Sequence, residues 1–461
     1  MSLCIGAAAA AGAAGAWWQW ERRPQHHPAF TPKPHPIRKD APNIVVILAD
    51  DLGYGDVGYL PNGSKDVKTP NIDALAASGA WFSAGYVCSP VCSPSRAGLL
   101  TGMYPQRYGF EFNVAHMKDT SAMPGLPADV PTLAERLQAA GYATGMFGKW
   151  HLGEAPPCRP NARGFDEFFG FTGGSTSYWG RSRDRHTPLC RDETPAQDME
   201  YLTDTLAGEA EAFIDRHKHE SFFLYVPFNA VHSPYDDPPQ KYLDRFKDVP
   251  AAGRRTMLAI ISAMDDAVGR IMARLRACGI EGKTLVFFLS DNGGAAGEKG
   301  SRNGRLRRGK AATFEGGVRI PFAVRWPGKI KPAPFDAPVS ALDVTPTALA
   351  AAGIGVDGLD GVDLLPYLSG ENQSAPHDAL YWRYGERAGI RKGHWKWADN
   401  GALGKGLFDL DKDSAEVHDL SAQHPDVVAE LQSQWMQWSA KMKPPAWAMP
   451  EVKEGPRGAG A

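Results

Sequence analysis

Cys92 opens the run Cys92-Ser93-Pro94-Ser95-Arg96-Ala97-Gly98-Leu99-Leu100-Thr101-Gly102. Ser93 is a favourable N-cap, Pro94 suits the first helical position, and Gly102 suits a helix end. These signals predict a helix with Cys92 at its mouth, where unpaired N–H groups and the dipole favour an anion. Taken alone, such a cysteine reads most simply as a small buried side chain. The preceding Cys88-Ser89-Pro90-Val91 is a near-copy, but it has Cys92 where the second copy has Arg96.

Two acidic pairs share one placement. Asp50 and Asp51 follow the apolar run Asn43 to Ala49, and Asp291 and Asn292 follow Thr284 to Leu289 and Ser290. Binding groups of open α/β sheets collect at the carboxyl ends of strands. Buried carboxylates need a partner, and a hard cation is a natural one. Asp50, Asp51, Asp291 and Asn292 offer only oxygen, which favours Ca2+, and after it Mg2+, over zinc.

Basic and imidazole groups follow other apolar runs. In Gly148-Lys149-Trp150-His151-Leu152-Gly153 an extended chain puts Lys149 and His151 on one face. A fixed cation beside an imidazole suits anion binding with proton transfer. His232 follows Phe222 to Phe228, and Lys310 lies in a basic stretch, Arg305 to Arg319, that contains Glu315-Gly316-Gly317. That stretch otherwise reads as a solvated loop. Gly53, Gly55 and Gly58 spell a dinucleotide fingerprint, but Leu60-Pro61-Asn62-Gly63 reads as a turn where that motif needs a helix.

The elements that position these residues are short apolar strands at Asn43 to Ala49, Ala143 to Phe147, Phe222 to Phe228, Thr284 to Leu289 and Ile320 to Trp326. Near-continuous Val, Ile, Leu and Phe suits strands buried on both faces. Helical patterns lie between them, at Thr69-Pro70 to Gly79, Thr132 to Ala140, and Ala252 to Cys278. The last has Met257, Ile260, Ile261, Met264, Val268, Ile271 and Leu275 on one stripe. The alternation predicts an α/β fold with a large, mostly parallel or mixed sheet flanked by helices. Beyond about residue 370 the texture changes. Ala379 to Trp397 suggests a small antiparallel sheet, and Pro425 to Met442 a terminal helix.

At 461 residues, with 43% hydrophobic and 22% charged residues, the chain reads as an ordinary globular protein. A formal net charge of −2 argues against a nucleic-acid binder. Cys4 to Trp20 is Ala/Gly-rich and apolar, and resembles a secretory signal or short anchor without a basic n-region. It predicts a periplasmic or secreted protein, with membrane association at most through this segment. Cys158 and Cys190 bracket one loop-like segment and are a candidate disulfide pair, which spacing alone does not establish.

Together these motifs resemble the type I, formylglycine-dependent sulfatases of the alkaline phosphatase superfamily. The likeness runs from about Pro42 to Trp438, and its look is that of arylsulfatases and N-acetylgalactosamine-6-sulfatases. The signature is the C-x-P-x-R run at Cys92 to Arg96, followed by a small-residue helix and Thr101-Gly102. The resemblance implies that a separate maturation enzyme oxidises Cys92 to formylglycine, the catalytic nucleophile. It implies Ca2+ on Asp50, Asp51, Asp291 and Asn292, with residue 92 beside it. It implies sulfate binding by Lys149 and Lys310, a holding role for Arg96, and proton transfer by His151 and His232. The substrate it implies is a sulfated carbohydrate or an aryl sulfate. Tyr178, Trp179 and Arg181, in the segment Gly173 to His186, are candidate glycan contacts, as is the aromatic stretch Tyr381 to Trp397. The expected division is a signal-like segment and linker at 1–37, a catalytic domain at 38–370, a C-terminal subdomain at 371–445, and a loose tail at 446–461. Two rivals share parts of this pattern: a phosphonate or phosphate monoester hydrolase of the same superfamily, and a non-catalytic sulfated-glycan-binding protein.

Overall fold

Residues 40–61, 63–115, 124–180, 187–196, 199–295 and 300–449 are described by a computed structural model. The signal-like segment at 1–37, Arg181 and the chain beyond residue 449 lie outside the described residues.

In chain order the strands are β1 (Asn43–Ala49), β2 (Ala80–Phe82), β3 (Gly85–Tyr86), β4 (Ala143–Lys149), β5 (Glu167–Phe171), β6 (Cys190–Arg191), β7 (Thr194–Pro195), β8 (Phe222–Pro227), β9 (Thr284–Ser290), β10 (Phe322–Arg325), β11 (Ala333–Phe335) and β12 (Val339–Ser340). Ten of them form one sheet in the order β11-β2-β10-β9-β1-β8-β4-β5-β6-β7. The five central strands, β9-β1-β8-β4-β5, run parallel. The flanks do not: β10 is antiparallel to β9, and β6 is antiparallel to β5. The expected fifth strand is therefore shorter than Ile320 to Trp326 and reversed, so the sheet is mixed. β5, an aromatic run that carries no alternation, was not anticipated.

Each face of β1 has its own core. Ile44, Val46 and Leu48 join one cluster, and Val45, Ile47 and Ala49 join another. This is why β1 is apolar at every position. Over the second face lie helices α1 (Pro70–Ala77), α4 (Leu202–His217) and α5 (Ala252–Ala277). All seven stripe residues of α5 are fully buried. Over the first face lie α2 (Cys92–Thr101), α3 (Leu133–Ala139) and α6 (Val344–Ala352). The capping box of α3 joins Thr132 and Glu135. Asp265 is not solvated: it is buried on α5 and accepts the Asn71 and Ile72 N–H groups at the start of α1, 3.0 and 2.8 Å away.

One cap differs from expectation. α2 begins at Cys92 with Val91 as N-cap, and Ser93 lies inside the helix. The start is held instead from a distant loop, where Asn113 Oδ1 accepts the Ser93 N–H at 2.9 Å. The Ser93 hydroxyl accepts the Val114 N–H at 3.1 Å in return. Gly102, at φ 70°, ends the helix.

The C-terminal strands β13 (Ala379–Tyr384), β14 (Arg387–Lys392), β15 (Trp395–Asp399) and β16 (Lys405–Asp409) form an antiparallel meander, with helix α7 (Pro425–Ser439) packed on it. The aromatics of Tyr381 to Trp397 serve this packing. Trp382 is buried and donates to the Val87 carbonyl at 2.6 Å, and Tyr381 stacks on Trp438 at 5.1 Å. The glycines at 53 and 55 start no helix; a Cβ on Gly53 would lie 2.2 Å from the Arg302 carbonyl oxygen. They admit another segment's backbone, not a nucleotide.

Candidate active site

Register builds the acidic cluster. Ala49 of β1 pairs with Ser290 of β9, so Asp50 and Asp51 leave the sheet beside Asp291 and Asn292. The Asp51 N–H donates to Asp291 Oδ1 at 3.1 Å, and Asn292 Nδ2 donates to Asp51 Oδ1 at 2.7 Å. Asp51 holds φ 60°, a left-handed conformation that turns its carboxylate back into the cluster.

Cations enclose these acids. Arg96, one helical turn after Cys92, reaches Asp291 Oδ2 at 2.8 Å and Asp50 Oδ1 at 3.6 Å. Lys149, at the end of β4, lies 2.7 Å from Asp50 Oδ2. Lys310 lies 2.7 Å from Asp51 Oδ1 and 3.1 Å from the Cys92 sulfur. Cys92 Sγ is itself 3.6 Å from Asp50 and 3.9 Å from Asp51. His232 brings Nε2 to 3.7 Å from Asp51 Oδ2. One ligand atom from each of Asp50, Asp51, Cys92 and His232 falls within 4.8 Å of the others. Three acids, three permanent cations, a thiol and an imidazole thus converge at the ends of β1, β4, β8 and β9.

Comparison with known proteins places this chain in a family. The family profile described as Sulfatase matches residues 42–354, and that described as N-sulphoglucosamine sulphohydrolase, C-terminal, matches residues 309–441. The chain belongs to the sulfatase family. It is 37% identical to N-acetylgalactosamine-6-sulfatase of Mus musculus, over 77% of this chain and 71% of that protein. It is 36% identical to arylsulfatase A of Bos taurus, over 74% of this chain and 70% of that protein. Among solved structures, that of Ps i-CgsB in complex with k-i-k-neocarrahexaose superposes with a TM-score of 0.84 at 35% identity, covering 89% of this chain and 95% of that one. The protein is accordingly a sulfatase, an enzyme that hydrolyses sulfate esters.

The electrostatics of this sulfatase follow from burial. Burial pushes the Asp51 carboxyl up, but Lys310, His232 and Lys149 outweigh it and hold the group well below the usual range. Asp291 is raised, by burial and by Asp50 beside it, against Arg96. Burial pushes the Cys92 thiol up to about 12, against the pull of Lys149 and Lys310. As encoded, the side chain is an un-ionised thiol and a poor nucleophile. Burial, then Lys310 and Lys149, push His232 down to about 3. His151 is lowered by burial, Lys149 and Arg96.

The histidines differ in tautomer. His151 Nε2 lies 3.1 Å from the Val114 carbonyl oxygen, so Nε2 carries the proton. Its buried Nδ1 has no hydrogen-bond partner among the described residues and presents a lone pair. His232 Nδ1 lies 2.6 Å from the Ser233 carbonyl oxygen, which puts its proton on Nδ1 and leaves Nε2 facing Asp51.

Tyr178 is not a surface contact. It is fully buried, and its hydroxyl donates to the carbonyls of Asn229 and His232 at 3.1 and 3.0 Å, which supports the loop that carries His232. Trp179 is half-buried, with Nε1 on the Asp237 carbonyl at 3.0 Å. Arg181 lies outside the described residues. Cys158 and Cys190 are both free thiols. The sequence reading missed Asn113 and Val114, which orient the Cys92 helix and His151. Their positions carry no local signal, because both contacts cross the fold.

Proposed function

We propose that this sulfatase acts through formylglycine at position 92 and a calcium ion held by Asp50, Asp51, Asp291 and Asn292. The observation that carries the reading is the pair of carboxylates and the Lys310 ammonium around the Cys92 sulfur. The donor set suits the ion. All four side chains are buried and offer oxygen, and Asn292 Oδ1 is a buried acceptor with no hydrogen-bond partner among the described residues. Charge agrees as well: three carboxylates against Arg96, Lys149 and Lys310 sum to zero. A divalent ion then leaves room for an anionic ester and an ionised oxygen on residue 92.

Bound there, calcium would draw negative charge from the sulfate oxygens and favour ionisation of the attacking group. Formylglycine supplies two hydroxyls as its hydrate, one to attack sulfur and one to let the aldehyde reform as sulfate leaves. The chain's own side chains do the rest. Lys149 and Lys310 bind the sulfate oxygens, and Arg96 holds the acids and the helix turn of residue 92 in register. A bound anionic ester favours a second proton on His232, at Nε2, and His232, with Lys310 beside it, passes that proton to the ester oxygen as the S–O bond breaks. His151, whose Nδ1 carries a lone pair, takes the proton of the second hydroxyl. Trp179 and Arg181 are proposed contacts for the rest of the substrate.

The substrate is a sulfated carbohydrate, with aryl sulfates as activated analogues. This is supported by the N-acetylgalactosamine-6-sulfatase relative and by the neocarrahexaose complex of the structural neighbour. The protein works in the periplasm or outside the cell, after maturation by a formylglycine-generating enzyme. Its catalytic domain spans 38–370 and its C-terminal subdomain 371–445. Among the described residues no helix is long and apolar enough to cross a membrane. The deciding experiment is peptide mass spectrometry at residue 92, followed by turnover of defined sulfated sugars. Full turnover by protein that retains Cys92 as a thiol would overturn the reading.

A further inference from the structure

Lys310 stands in a strained segment. Arg308 and Ala311, on either side of it, hold φ of 63° and 70°. Non-glycine residues are disfavoured there by crowding between Cβ and the carbonyl, and persist only where their surroundings over-determine them. On one side the surroundings are the site itself. The Lys310 N–H donates to the Gly294 carbonyl at 3.1 Å, and the Ala311 N–H to the Pro90 carbonyl at 2.8 Å.

On the other side the C-terminal sheet grips the same segment. Arg387 of β14 donates to the Ala311 carbonyl. Asn400 accepts the Thr313 N–H at 2.8 Å, and the Thr313 hydroxyl donates to the Ala388 carbonyl at 2.8 Å. The far end is a buried ionic knot. Lys396 of β15 lies 2.7 Å from Glu315 Oε1 and 3.4 Å from Glu416 Oε1. Glu416 Oε2 accepts the Glu315 N–H at 2.7 Å, and the Tyr86 hydroxyl donates to Glu315 Oε2 at 2.7 Å. Glu315, Lys396 and Glu416 are each 0% exposed.

Charges buried this deeply contribute little net stability, because desolvation consumes the attraction. Their hydrogen bonds do, however, admit one arrangement, where an apolar contact would tolerate sliding. That arrangement is tied to the site at short range. A Cβ on Gly293, next to Asn292, would lie 1.8 Å from the Gly316 carbonyl oxygen, so residues 315–317 have no slack against the acidic strand end.

We propose that Lys396 and Glu416 are positioning residues for sulfate binding: through Glu315, the C-terminal sheet sets where the Lys310 ammonium stands. The proposal rests on the reading of Lys310 as a sulfate-binding group. It makes the C-terminal subdomain part of the sulfate subsite, although none of its residues touches the Cys92 sulfur.

Glu416→Gln keeps an acceptor for the Glu315 N–H and removes one of the two carboxylates that Lys396 meets. In the mature enzyme, kcat/KM for 4-nitrophenyl sulfate is expected to fall about 10- to 100-fold, as for a small misplacement of a catalytic group. Inhibition by inorganic sulfate is expected to weaken with it. The discriminating readout is the double variant: on a Lys310→Ala background, Glu416→Gln is expected to cost less than about twofold more. A purely structural role would instead multiply the two losses. Tyr86→Phe, which deletes one hydroxyl, gives the same comparison at smaller amplitude if Glu416→Gln does not fold, as thermal unfolding will show. Multiplicative losses, or sulfate inhibition unchanged in both variants, overturn the proposal. Inorganic sulfate that inhibits Lys310→Ala as well as wild type overturns the role of Lys310 itself, a separate result.

Discussion

Cys88 and Cys92 begin two copies of one tripeptide, and both are buried to 1% exposure. Their surroundings are opposite. Cys88 packs with Tyr104, Leu342, Trp438 and Met442, and its sulfur lies 2.2 Å from where a Gly98 Cβ would stand. Burial is the main cause that pushes its thiol far above the ordinary range. Cys92 faces carboxylates and an ammonium. The difference traces to position: Cys92 opens α2, so Arg96 stands one helical turn along from it, whereas Cys88 lies before the helix begins. A cysteine becomes a site when a buried cation one turn away ties it to an acidic strand end.

That comparison can be broken in graded steps. Cys92→Ser is expected to lose steady turnover by about a thousandfold or more, as for loss of a nucleophile. A serine sulfate ester has no aldehyde to reform, so sustained turnover by this variant would contradict the role given to residue 92. Asp291→Ala leaves Arg96 without its 2.8 Å partner. Removing one member of a buried pair costs about 3–5 kcal/mol, to be read by chemical denaturation. Activity of this variant should be lost. Wild type treated with chelator should lose activity and regain it with Ca2+ better than with Mg2+; full activity in chelator would remove the ion from the scheme.

His232→Ala should slow sugar sulfates more than activated aryl sulfates, by about a hundredfold on the poorer leaving group. Equal losses on both would argue against an acid role. Cys88→Ala should leave kcat/KM within about twofold and lower stability by about 1–2 kcal/mol, measured by thermal unfolding. A large kinetic loss would erase the contrast between the two cysteines. The smallest effect concerns pH. Burial lowers the pKa of His377, but Asp343, 2.9 Å away, outweighs it and leaves it raised. The pair's stabilisation should be complete below about pH 6.5, the unfolded value, and disappear as pH rises through the raised folded value. His377→Gln should flatten that slope.

Much of the site was legible because strand ends announce themselves. Apolar runs followed by Asp50-Asp51, by Ser290-Asp291-Asn292, by Trp150-His151 and by Asn229 to His232 mark four adjacent strand ends, and all four are in the cluster. The long stripe of α5 was legible for a similar reason, since its period recurs over about five turns. The direction of β10 was not, because an apolar strand buried on both faces reads alike in either direction. Helix α4 was missed although Leu202, Leu206, Ala210, Phe213 and Ile214 lie on one buried face. Ser93 had every local mark of an N-cap and was overruled by Asn113, a residue brought in by tertiary structure. Tyr178, a candidate glycan contact by its place in a loop-like segment, is buried as the support beneath His232.

The sequence by itself determined the family and singled out the candidate nucleophile, the candidate oxygen ligands and the four candidate groups for the ester, because each sits in a local run whose spacing has chemical meaning. The tertiary structure decided what those runs could not express: the register that sets Ala49 against Ser290, the tautomers imposed on His151 and His232 by backbone carbonyls, and the grip of the C-terminal sheet on the Lys310 segment. Apart from the His232 contact with its neighbour Ser233, these depend on contacts between residues about forty to two hundred and forty positions apart, which no local pattern encodes. Lys396 is the plainest case: one lysine in an alternating strand by sequence, and in the fold the buried charge that joins Glu315 to Glu416.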